Sequence, residues 1–77
     1  MNNFVFPIKT GVDIRRARLL LNINQLQLAE IVGLQPATIC RAEKSPEIKE
    51  SLGLAIECLL RRKQAGESVH EQSEKAA

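Results

Sequence analysis

NQLQLAEIVGLQPATICRAEK, residues 24–44, reads as a helix that stops at a glycine and restarts at a proline. Asn24 followed three residues later by Gln27 is a capping pair that opens a helix. Leu28, Ala29 and Val32 then mark an apolar stripe at helical spacing. Gly33 is the residue type that takes positive φ without steric cost, so a tight turn is predicted there, with Leu34 directed inward to pin it. Pro36 belongs at the first position of the next helix, where its missing N–H is harmless. That helix is predicted to run to about Lys44, with Ile39 and Ala42 inward.

A small side chain at Ala29, one turn before the break, lets the second helix cross closely over the first. Two short helices held this way form a helix-turn-helix. With Ile39 inward, Ala37, Arg41 and Lys44 face outward, flanked by Thr38 and Cys40, and Gln35 projects from the leading end. Cations, an amide and small side chains on a free helix suit a major groove. Arg pairs bidentately with guanine, Gln with adenine, and Ala or a Thr methyl touches the thymine methyl. Glu43 falls near Ile39 on the buried side. A buried carboxylate without a partner is costly, and Arg18, late in helix 1, is the candidate partner.

Outside this stretch, residues 1–9 hold both phenylalanines. Phe4, Phe6 and Ile8 alternate with Val5 and Pro7, the period of an extended arm. It either covers the core or pairs with its copy in a dimer, and covering is the reading preferred. Thr10 and Asp13 form a capping box, so helix 1 should begin near Gly11 and end at Asn22, with Ile14, Ala17 and Leu21 inward and Ile23 tucked back to the core. Ser45-Pro46 repeats the start signal and predicts a fourth helical region to about Gln64, split near Ser51 and Gly53. There Ile48, Leu52, Ala55, Ile56 and Leu59 share one face, while Leu54 and Cys58 form a second strip suited to a two-fold interface. Residues 66–77, with His70, are too polar to pack and read as a disordered tail.

Apolar residues make up 44% and aromatics 3% of the 77 residues. The core must therefore be Leu, Ile, Val and Ala, which favours helices. Ten basic side chains oppose six acidic ones over residues 9–63, giving +4, while the tail 64–77 carries −2; the folded part can take an anionic partner. Cys40 and Cys58 have no metal or redox spacing and read as reduced cytoplasmic thiols. No apolar run approaches the ~20 residues of a membrane span. Paired carboxylates, a nucleophile–His arrangement and a phosphate loop are all missing from the sequence, so no enzyme, metal, cofactor or small-molecule ligand is expected.

TGVDIRRARLLLNINQLQLAEIVGLQPATICRAEK, residues 10–44, resembles the Cro/C1-type (XRE) helix-turn-helix family of phage and bacterial repressors. The matching positions are Ile14, Arg18, Ile23, Gln25, Leu28, Ala29, Gly33, Leu34, Thr38, Ile39 and Glu43. LGLAIECLLRR, near the end, is similar to small anti-CRISPR-associated repressors of that family. The resemblance implies an all-α bundle of about five helices over residues 10–65, preceded by the arm 1–9 and followed by the tail 66–77. It implies a homodimer on palindromic double-stranded operator DNA, in the cytoplasm, away from any membrane. Gln35, Ala37, Thr38 and Arg41 would read bases, and Gln25, Lys44, Arg15 and Arg16 would hold phosphates. Arg18 and Glu43 would form the family's internal salt bridge, and Leu54 and Cys58 would lie at the dimer interface. Pro36, Ala42 and Ser45 depart from the family pattern. The alternative is an antitoxin or protein-interaction adaptor on the same fold.

Overall fold

The computed structural model describes residues 5–66. Its elements are α1 (Gly11–Leu21), α2 (Gln25–Val32), α3 (Pro36–Glu43) and α4 (Glu50–Gln64), with no strand among the described residues. Four helices stand where about five were expected. Residues 45–49, predicted to start the fourth helix, are a non-helical connection instead. The Ser45 hydroxyl bonds the carbonyl of Glu47, and the Glu47 amide returns a bond to it, a local turn that competes with helix initiation. α4 then runs unbroken through Gly53. Phe4 and residues 67–77, including His70, lie outside the described residues.

Local signals set the first three helix boundaries. Thr10 and Asp13 close a reciprocal capping box on α1, and Asn24 and Gln27 do so on α2. α1 ends on Asn22 with φ 60°, and α2 on Gly33 with φ 78°. Asn and Gly are the residue types that accept this left-handed conformation. Pro36 opens α3. Backbone bonds to Lys9 and Thr10 hold the Asp13 carboxyl below the ordinary aspartate range, Lys9 contributing most. A carboxyl lowered on folding stabilises the fold above its unfolded value of about 3.9, and that contribution disappears as pH falls through the native value. Asp13→Asn is therefore expected to flatten the acid limb of a thermal-melting series between pH 5 and 2.

The core joins all four helices and the arm. Ile14, Leu21, Leu28, Ile39, Ile56 and Leu60 are fully buried at its centre. α2 packs on α3, and α1 packs on both α3 and α4. Ile8 is buried with Val5 and Phe6 packed beside it, so the arm covers the core. Its path requires a bare backbone on α4, because a Cβ at Gly53 would stand 2.2 Å from the Ile8 carbonyl oxygen. The Ile8 amide donates to Glu57 Oε2 at 3.2 Å. The buried residues of α4 are Gly53, Ile56, Leu59 and Leu60. Ile56 and Leu59 of the predicted stripe are thus buried, whereas Ile48, Leu52 and Ala55 are half-buried because the buried face is rotated towards Gly53 and Leu60. Leu34 is another correction. It is 40% exposed, and the turn is closed by its backbone amide, which donates to the Ala29 carbonyl at 2.8 Å.

Candidate nucleic-acid interface

α3 carries the candidate surface, and its orientation follows from one buried residue. Ile39 is sealed in the core, which turns Gln35, Pro36, Ala37, Arg41 and Lys44 to solvent and leaves Thr38 and Cys40 half-exposed at the flanks. Gln35 precedes the helix in extended conformation without spending its side chain on a cap, so the amide remains available outward. Neither Arg41 nor Lys44 enters an ion pair among the described residues.

Glu43 is the one carboxylate of α3, and it is withdrawn from that surface. Its side chain is 6% exposed and Arg18's is 15%. Arg18 Nε donates to Oε2 at 2.6 Å and Nη2 to Oε1 at 3.3 Å, a two-pronged pairing that matches guanidinium to carboxylate. Gln25 Nε2 also donates to Oε1, at 3.0 Å, and Arg18 Nη1 reaches the Ile23 carbonyl at 3.3 Å. One carboxylate thus fastens α1, the start of α2 and the end of α3 together, and α3's outer face is left with positive charge alone.

A second fastening went unread in the sequence. The Gly11 amide donates to the Ser45 carbonyl at 2.9 Å. A Cβ on Gly11 would fall 2.3 Å from the Ala42 oxygen and 2.4 Å from the Glu43 oxygen. α1 therefore begins directly against the last turn of α3. A glycine just inside a capping box, where helix propensity disfavours it, was the available signal. Leu60, fully buried, was also missed.

The remaining candidates are dispersed. Ala29 is buried in the core from α2, and Gly33 makes the turn. Gln25 stands at the first position of α2, half-buried and occupied by Glu43. Arg15 is exposed, whereas Arg16 has its guanidinium carbon 4.6 Å from the Phe6 ring centre, a cation–π contact, and lies 3.9 Å from Asp13. Leu54 and Cys58 are exposed on α4. An open groove of about 550 Å³ runs beside Arg41 between α3 and α4, walled by Val32, Leu34, Ala42, Ile48 and Leu52. Among the described residues no group of three His, Cys, Asp or Glu side chains is placed to hold a metal, and no helix is long and apolar enough to cross a membrane. Comparison with family models, with curated proteins and with solved structures finds no match for this chain.

Proposed function

We propose that this chain is a sequence-specific double-stranded DNA-binding regulator of the Cro/C1 type, in which α2, the Gly33 turn and α3 act as the helix-turn-helix and α3 enters the major groove. The observation that carries the reading is the charge arrangement of α3: Arg41, Lys44 and Gln35 face solvent while its only carboxylate is tied inward by Arg18 and Gln25. Desolvating that face against phosphates and base edges brings no carboxylate with it. The leading end of α3 carries apolar Pro36 and Ala37, suited to thymine methyls rather than to hydrogen bonding. Arg41 and Gln35 read base edges; Lys44 and Arg15 hold the backbone, which fixes register without reading sequence.

Two copies on a two-fold-symmetric operator place their α3 helices about 34 Å apart, one duplex turn. The described residues of one copy span 33 Å in their longest direction, a size compatible with two copies side by side at that spacing. Occupying that stretch excludes polymerase, which makes repression the simplest consequence. The apolar groove beside Arg41 favours a second reading, in which the same fold docks a protein segment as an antitoxin or adaptor does.

A fluorescence-anisotropy titration with DNA flanking the chain's own gene, repeated over a salt series, separates the two. A repressor is expected to lose affinity steeply, with a log–log slope near −0.9 per phosphate neutralised. Equal, weak binding to flanking and unrelated DNA at every salt concentration would leave the adaptor reading standing.

A further inference from the structure

Along the outer face of α4, Glu50, Leu54, Cys58 and Arg61 recur at i, i+4, i+8 and i+11 and form one exposed stripe. Leu54 is 57% exposed in its middle. The two ends of the stripe are opposite in charge. At the N-terminal end a groove of about 400 Å³ lies between the arm and α4, floored by Ile8, Ile48 and Leu54 and rimmed by Glu47, Glu50 and Glu57. At the C-terminal end stand Arg61, Arg62 and Lys63, the last turn of the helix. The Arg61 side chain is 70% exposed, with only a 3.9 Å contact to Glu57. Lys9 is the one cation lining the acidic groove.

A helix that is acidic at one end, basic at the other and apolar between them complements itself when a second copy runs antiparallel. We propose that two copies of this chain associate along α4 in that direction, Leu54 of each packing on Cys58 of the other, and Arg61 of each entering the other's acidic groove beside Glu50. The register is internally consistent. Leu54 facing Cys58 and Glu50 facing Arg61 need the same alignment to within one residue. In antiparallel helix pairs like flanks meet, and Glu50 and Arg61 lie on the same flank of the stripe. A parallel pairing brings unlike flanks together and keeps equal heights level, so Glu50 and Arg61, on one flank at opposite ends of the helix, would not meet and the charge complementarity would go unused. The interface is isologous and closes as a dimer.

This inference supplies the dimer surface for the DNA-binding reading and rests on that reading only for its consequence, not for the association itself. Sedimentation velocity without DNA, over a concentration series, tests it. The wild-type chain is expected to dimerise. Leu54→Glu, at an exposed position, should keep its helical circular dichroism and weaken dimerisation by about a hundredfold or more, as loss of a central apolar anchor does. Glu50→Arg and Arg61→Glu should each weaken it by about tenfold, and the two together should restore it, because the complementary pair is re-formed in reverse. A wild-type chain monomeric throughout, a Leu54→Glu chain that dimerises unchanged, or a double reversal weaker than both singles would each overturn the proposal. DNA binding is separated by the monomeric variant: if it still binds a half-site in an Arg41-dependent way, the α3 reading stands whatever the dimer does.

Discussion

Replacing Arg18 by alanine is expected to cost about 2–3 kcal/mol of folding stability, below the range for removing one partner of a fully buried ion pair because Arg18 and Glu43 are each only partly buried. Glu43 keeps its 6% exposure in such a chain and loses both guanidinium bonds, with only Gln25 left to solvate the charge. A domain this small holds on the order of 5 kcal/mol in total, so the variant should melt far below wild type when followed by circular dichroism. Arg18→Lys should fall between, since an ammonium cannot pair in the two-pronged geometry. Arg18→Met combined with Glu43→Leu should recover most of the loss, because replacing both charges by apolar groups removes the desolvation penalty with the pair. A melt for Arg18→Ala within a degree of wild type would mean that Glu43 finds water or another cation.

Gly11→Ala is the second large effect, about 2–3 kcal/mol by overpacking. Its cause is geometric rather than conformational. Gly11 is helical, and alanine would favour the helix by roughly 1 kcal/mol, yet the added methyl meets the Ala42 and Glu43 carbonyl oxygens at 2.3 and 2.4 Å. Neither is the end of a flexible side chain; both are backbone of α3's last turn. To admit the methyl, the start of α1 must move off α3, stretching the Gly11–Ser45 bond. The loss should therefore appear twice, as a lower melting temperature and as weakened DNA binding from a displaced α3. Gly33→Ala is the comparison: open space surrounds it, and only its positive φ is penalised, by about 1 kcal/mol.

How much of this was legible in the chain depended on how local its cause is. Thr10 with Asp13, Asn24 with Gln27, Asn22, Gly33 and Pro36 act through their own few residues of backbone, and the helix boundaries they mark could be read directly. The inward course of Glu43 and its partner Arg18 followed from the helix wheel together with the cost of burying charge. Leu34 did not follow, because the turn it ends is closed by a backbone bond, leaving its side chain to wall the groove between α3 and α4. The connection 45–49 defeated the Ser-Pro start signal, since the Ser45 hydroxyl is spent on Glu47 and not on a helix N-terminus. Gly11 and Gly53 answer to backbone from distant segments, α3 and the arm, which no local pattern reports.

Everything functional rests on the solvent-facing side of α3 being a DNA-reading surface. The most direct measurement is a pair of anisotropy titrations, wild type and Arg41→Ala, against the footprinted operator and against the same duplex with its guanines exchanged. Wild type should separate the two duplexes; Arg41→Ala, at an exposed position, should fold normally, lose about 1–3 kcal/mol on the operator and lose most of the discrimination. Identical affinities for both duplexes, before and after the substitution, would contradict it.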